Sequence, residues 1–177
     1  PLYHDVISPP RFSRPWWEAY VRVNRRFAEA AAGAVAEGGT VWVQDYQLQL
    51  VPKLLRELRP DVTIGYFHHI PFPPYGLYSQ LPWRKQVLRG LLGADVIGFQ
   101  RTADASNFAM AVRRQLQLET RASGIQVPTA DGGTRFAVVQ AFPIAIDTTS
   151  YAELVRRPEI IARAAEIREG LGNPRRI

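Results

Sequence analysis

Two apolar runs in the chain each end in a cluster of groups that can do chemistry. "VWVQDYQLQLVPKLLRELRP", Val41 to Pro60, breaks at Gln44, Asp45 and Tyr46, and "IGYFHHIPFPP", Ile64 to Pro74, breaks at His68 and His69. A carboxylate and an imidazole can hydrogen-bond sugar hydroxyls or orient a reacting oxygen, provided that the fold brings them together. Each also has an ordinary structural alternative. A strand-end aspartate such as Asp45 commonly caps a following helix, and a lone histidine is more often structural than functional. Side chains alternate along a strand, so His68 and His69 point to opposite sides and at most one faces a shared crevice. Tyr46 reads as half packing and half polar handle. Trp16, Trp17 and Trp83 read as packing rather than as a binding platform.

The elements that must position these groups follow from periodicity and punctuation. Residues 1–12 are loop-like, with Pro1, Pro9 and Pro10. Ser13 is placed to cap a helix with Pro15 in its first turn. "WWEAYVRVNRRFAEAAAGAVAEGG" then reads as one long helix, with Trp17, Tyr20, Val21, Phe27 and Ala31 at helical spacing and Gly38 and Gly39 ending it. "TVWVQ" is a strand, "LQLVPKLLREL" a helix that tolerates Pro52 near its start, and "VTIGYF" a second strand. "HHIPFPPYGLYSQLP" is too proline-rich for regular structure and reads as a rigid loop. "WRKQVLRGLLGA" is helical, "DVIGFQ" is a third strand, and "TADASNFAMAVRRQLQL" is a helix capped by Thr102 or Asp104. "TRASGIQV" and "TRFAVVQAFPI" read as strands separated by a turn at Asp131-Gly132-Gly133. A helix runs from about Thr149 to Glu169 and stops at Gly170, and "GNPRRI" resembles the start of a linker.

Strand and helix alternate with short links, which argues for an α/β fold with a parallel sheet flanked by helices. The near-continuous apolar strands suit a sheet buried on both faces. Ligands of such sheets bind outside the carboxyl ends of the strands. Asp45 and His69 both fall at that edge, on strands expected to be close in space. Periodicity and spacing alone lead to a small-molecule site and no further.

Composition narrows the partners. The 177 residues suffice for one domain with a sizeable core. Cysteine is absent, which removes disulfides, thiolate metal sites and a cysteine nucleophile. The net charge is +6 and Lys53 and Lys85 are the only lysines. Arginine suits anionic small substrates such as sugar phosphates and nucleotides. The arginines are scattered without aromatic interleaving, which argues against nucleic acid. No run is long and apolar enough to span a membrane. No secretory signal pattern appears, and a cytoplasmic protein is expected. The chain does not begin with Met and reads as an excised piece of a longer protein. There is no G-x-G-x-x-G, P-loop or H-E-x-x-H motif.

Read together, "RVNRRFAEA", "VWVQDYQLQLVPKLLR", "IGYFHHIPFP", "LLGADVIGFQR" and "FPIAID" resemble the trehalose-6-phosphate synthase family of UDP-glucose-dependent retaining glycosyltransferases. The likeness runs from Pro1 to about Asp147, and glutamine on both sides of Asp45-Tyr46 resembles the actinobacterial branch. It implies a GT-B architecture, two Rossmann-like domains with the active site between them. This chain would be most of the first, acceptor-side domain. It also implies that Asp45 binds glucose 6-phosphate, that Tyr46 lies beside it, that His69 contacts the donor glucose near the reacting centre, and that Ile70 helps to determine the anomer made. The implied partners are UDP-glucose and glucose 6-phosphate. No metal or other cofactor is implied, and a homo-oligomer is compatible with the resemblance. His68 stands where the family usually has an apolar residue. The family's first strand would precede Pro1 and its donor domain would follow Ile177. The chain by itself is therefore expected to be inactive, with an open sheet edge. Two alternatives stay open: a relative acting on another phosphorylated acceptor, including pseudo-glycosyltransferases, and a non-catalytic sugar-phosphate-binding regulatory module.

Overall fold

A computed structural model describes residues 3, 9–121, 123–129 and 131–175. It divides into two compact units, Pro1–Pro143 and Ile144–Ile177. Most of the loop-like segment read over residues 1–12 lies outside the described residues, as does the end of the linker-like tail.

The first unit is built on one six-stranded sheet. In chain order the strands are β1 (Thr40–Gln44), β2 (Thr63–His68), β3 (Val96–Phe99), β4 (Thr120–Arg121), β5 (Gly124–Pro128) and β6 (Thr134–Ala141). Their spatial order is β1-β2-β3-β6-β5-β4. The first four of these neighbours are parallel, which the alternation of strand and helix predicts for β1, β2 and β3. An antiparallel hairpin extends the sheet beyond β6. The sequence reading merged β4 and β5 into one strand. The chain instead turns back before Gly124, where a side chain would meet the Ala137 carbonyl at 2.3 Å. β1 and β4 form the sheet edges.

Register places Val41 and Val43 beside Ile64 and Tyr66, and Tyr66 and His68 beside Ile97 and Phe99. Ile64, Tyr66, Ile97 and Phe99 are buried, and this face carries the core with Leu55, Leu88, Phe72 and Phe108. Full burial of each large apolar side chain contributes about 1.5–3 kcal/mol. The next residue along β1, Trp42, points to the other face and is 68% exposed.

Five helices matter for the site. α1 (Arg14–Ala34) carries proline in its first turn, but the Ser13 side chain makes no capping bond. The helix ends at Val35, before Gly38 and Gly39, and Gly38 makes the return to β1 with φ 64°. Its buried face centres on Asn24 and Ala28, whereas Phe27 lies outside it and is exposed. α2 (Val51–Leu58) starts with Pro52 in its first turn. The proline-rich loop contains one helical turn, α3 (Tyr75–Tyr78), which the sequence reading did not include. Pro74 has no N–H to lose at that start, so its ring suits the position. α4 (Arg84–Leu91) packs close to the start of α2, because a side chain at Gly90 would lie 2.4 Å from the Gln49 carbonyl. α5 (Thr102–Leu116) is capped by neither Thr102 nor Asp104: Arg101 holds the N-cap position, and Asp104 is buried and accepts from the Arg101 guanidinium. Trp17 and Trp83 stack at 5.0 Å, in keeping with a packing role.

The second unit contains α6 (Thr148–Leu154) and α7 (Pro158–Gly170) rather than one continuous helix. Pro158 disfavours a helical conformation at the residue before it, and Arg157 is extended. Asp147 caps α6 by accepting from the N–H groups of Thr149 and Ser150.

Candidate active site

The carboxyl ends of β1 and β2 lie side by side, with Gln44 opposite Phe67. Asp45 and His69 are the next residues to leave the sheet on each strand. The Asp45 N–H still donates to the Phe67 carbonyl at 2.8 Å, so the ladder holds up to the point of departure.

At Asp45 the backbone turns sharply, with φ 63° and ψ 176°. This region is populated almost only by glycine and costs about 1–3 kcal/mol for another residue. Two hydrogen bonds to its own carboxylate help hold it there. Oδ1 accepts from the Tyr46 N–H at 2.9 Å and from the His69 N–H at 3.2 Å. The first bond caps the single 3-10 turn Tyr46–Leu48. The second ties the β1 end to the β2 end. Asp45 thus fills the capping role and also joins the two predicted site residues. Among the described residues no hydrogen-bond donor reaches Oδ2.

His69 is exposed and His68 is fully buried, as the alternation along β2 requires. The His69 ring packs against Phe67 in a tilted arrangement, with centroids 4.7 Å and planes 54° apart, and its Nε2 meets Gln44 Oε1 at 2.5 Å. Ile70 follows directly. It lines a cleft of about 650 Å³ together with Tyr3, Phe72, Arg101, Asp104 and Asn107.

His68 belongs to the packing beneath the site. Its ring sits among Tyr3, Phe72 and Phe99, and Nδ1 pairs with the Tyr66 hydroxyl at 2.9 Å. Nε2 has no hydrogen-bond partner among the described residues. Burial disfavours the imidazolium and lowers its pKa to about 4.

Tyr46 is half-buried and its carbonyl is held from α1. The Tyr20 hydroxyl donates to it at 2.8 Å, and Gln49 Nε2 donates to it at 3.0 Å. Asn24, fully buried, donates to the Gln47 carbonyl and accepts from the Leu50 N–H, both at 3.0 Å. The Tyr3 hydroxyl donates to Gln49 Oε1 at 2.8 Å. Burial pushes the Tyr20 hydroxyl up to about 12 and raises Tyr3 further, so both stay protonated donors. Tyr20, Asn24 and Gln49 together position the turn behind Asp45, and sequence reasoning missed them. The available signal was an asparagine one helical turn after Tyr20, on a face otherwise apolar.

An acid and an imidazole at the carboxyl edge of a Rossmann-like sheet, with no serine or cysteine between them among the described residues, fit binding and orientation of a polyhydroxylated substrate. The fold is that of the Rossmann-like half of a GT-B glycosyltransferase. The chain belongs to glycosyltransferase family 20, whose model matches residues 1–177. Trehalose-6-phosphate synthase of Mycobacterium avium (strain 104) is 54% identical over 181 residues, covering 100% of this chain and 37% of that protein. The Mycolicibacterium smegmatis trehalose-6-phosphate synthase is also 54% identical, with 36% of its length covered. The chain therefore spans little more than a third of these relatives. Among solved structures, one described as trehalose-6-phosphate from E. coli bound with UDP-2-fluoro glucose superposes with a TM-score of 0.79 at 28% identity, covering 98% of this chain and 37% of that one. A Burkholderia xenovorans alpha,alpha-trehalose-phosphate synthase (UDP-forming) in complex with glucose-6-phosphate gives a TM-score of 0.71 at 27% identity, covering 88% and 35%.

Proposed function

We propose that this chain is most of the N-terminal, acceptor-side domain of an enzyme that transfers glucose from UDP-glucose to glucose 6-phosphate with retention, forming trehalose 6-phosphate. The observation that carries the reading is the bond from the His69 N–H to Asp45 Oδ1, which fixes both groups at one strand-end edge in a family 20 chain. Relatives with the same architecture are described as bound to a UDP-glucose analogue and to glucose-6-phosphate.

In this reading Asp45 accepts from a hydroxyl of the sugar phosphate, with Tyr46 beside it, through the carboxylate oxygen that the fold leaves open. His69 contacts the donor glucose near its anomeric carbon, and Ile70 helps to set which anomer results. The bond from C1 to the UDP oxygen breaks as the bond from C1 to the acceptor O1 forms on the same face. The acceptor proton passes to the departing phosphate. No enzyme nucleophile is used, and the protein supplies positioning and electrostatic stabilisation. No metal or resident cofactor is assigned, and neither nucleic acid nor a membrane is a partner. Among the described residues no helix is long and apolar enough to cross a membrane. The cytoplasm is the proposed location.

The test is UDP release by the complete gene product, given UDP-glucose with and without glucose 6-phosphate. Release that depends on the acceptor and falls about 100-fold or more in Asp45→Asn and His69→Ala supports the reading. Release that survives both substitutions overturns the site. A folded protein without acceptor-dependent release overturns the activity.

A further inference from the structure

His69 Nε2 lies 2.5 Å from Gln44 Oε1, a contact between side chains at the ends of adjacent strands. An amide oxygen only accepts, so the imidazole nitrogen facing it must carry the proton. In the neutral ring the other nitrogen, Nδ1, then carries the lone pair. Among the described residues nothing donates to Nδ1. The ring also packs against Phe67, with centroids 4.7 Å apart and planes tilted by 54°, and the backbone that carries it is tied to Asp45 Oδ1. A ring held by one hydrogen bond and one aromatic contact on an anchored backbone, with one nitrogen committed as donor, presents a defined acceptor to a ligand.

We infer that Gln44 is a positioning residue that sets the tautomer of His69, so that Nδ1 is offered as a hydrogen-bond acceptor to a hydroxyl of the bound sugar. The inference deepens the proposed function, on which its kinetic consequence rests. The tautomer itself does not depend on that reading. Gln44 sits on β1, whose pairing with β2 fixes its distance from His69, so the contact is set by the sheet rather than by a mobile loop. Groups that orient a metal-bound imidazole change affinity or activity about 10- to 100-fold when replaced, and an effect of that size is expected for this imidazole, to which no metal is assigned.

The tautomer is read from the imidazole ¹⁵N signals of the complete gene product at mildly alkaline pH, with those of His69 identified by their loss in His69→Ala. Wild type is expected to show the form protonated at Nε2. Gln44→Glu keeps an acceptor at the same reach and retains that form. Gln44→Lys offers only donors and is expected to invert it, placing the proton on Nδ1. If the lysine variant does not give a folded amide spectrum, Gln44→Met decides, because loss of the acceptor converts one form into a mixture. Wild type protonated at Nδ1, or a folded lysine or methionine variant whose His69 signals match those of wild type, overturns the inference. In the complete gene product, Gln44→Lys lowers kcat about 10- to 100-fold, while Gln44→Glu restores it to within a few-fold. A clean inversion with no glucosyl transfer in any variant sinks the proposed activity and leaves the role of Gln44 standing. Normal transfer by the inverted form sinks the role of Gln44 in the reaction.

Discussion

At the amino end of the parallel strands, Asp95 accepts from the Arg56 guanidinium at 2.5 Å and from the Ile64 N–H at 2.8 Å. Arg135 reaches the same carboxylate and donates to the carbonyls of Ala94 and Leu92. Close by, Arg59 joins Asp61 to the last carbonyls of α1, and Asp61 accepts from the Gly38 N–H. The hydrogen bond from Arg59 holds the Asp61 carboxyl well below the usual range. At the carboxyl end, a single carboxylate oxygen of Asp45 takes two backbone N–H groups, its own backbone is strained, and His69 is exposed. One edge of the sheet spends its charges on internal bonds. The other keeps acceptors available to a ligand, at a cost in local stability. The difference teaches that the same residue types do opposite work according to which strand end they occupy, since only one end is where ligands of such sheets bind.

The comparison can be broken most forcefully at the closed end. Asp95→Ala strands Arg56 and Arg135, both mostly buried, and leaves the Ile64 N–H without its side-chain acceptor. It is expected to cost about 3 kcal/mol, allowing for partial exposure, and to lower Tm by about 6 °C or more in thermal unfolding. Activity per folded molecule should hold. Asp45→Asn is expected to do the reverse: kcat/KM falls about 100-fold, or about 2.7 kcal/mol, while Tm stays within about 2 °C. An Asp95→Ala protein with native Tm would remove the contrast.

His68 sharpens it next. The folded protein holds this imidazole neutral, with a pKa of about 4 against an unfolded value of 6.5. The unfolded chain therefore binds the extra proton in that window. Stability is full above pH 6.5, falls as the pH drops toward 4, and loses about 2 kcal/mol by about pH 5 from this group alone. Denaturant titrations at several pH values should show a smaller slope in His68→Leu than in wild type. The smallest effect is expected for Asp45→Gly. Relief of about 1–3 kcal/mol of strain offsets most of the two hydrogen bonds lost from a half-buried carboxylate, each at the low end of about 1.5–3 kcal/mol. Stability should fall by about 2 kcal/mol or less, with activity lost. A large loss of stability would mean that the backbone at Asp45 is not strained.

Much of this was legible in the sequence. The parallel pairing of β1, β2 and β3 follows from alternating strand and helix patterns, and the placement of Asp45 and His69 follows from where those strands stop. The insertion of β6 beside β3 carried no such signal, because a hairpin intervenes in the chain. The opposite facing of His68 and His69 needed only the two-residue period of a strand. What escaped was set by contacts between distant segments. Asn24 looks like any polar helical residue until Gln47 and Leu50 fold against it. The positive φ of Asp45 carries no local signal, because the residue is not glycine. Gln44 acquires its meaning only through a neighbour twenty-five positions away. The break before Pro158 was visible in the sequence and was outweighed by the helical pattern on both sides.

Two consecutive histidines close β2, and this gives the closed end a further task. A slip of one residue in this strand would put one histidine where the other belongs: His69 in the core with Ile70 at the rim, or His68 at the rim with Phe67 in the core. The place that keeps an imidazole would not report the error. The correct phase is imposed at the other end of the same strand, where the Ile64 N–H is pinned by Asp95 and the Val62 carbonyl by Arg56. The ionic cluster farthest along β2 from the proposed site therefore acts as an index mark, selecting which of two identical side chains is delivered to it.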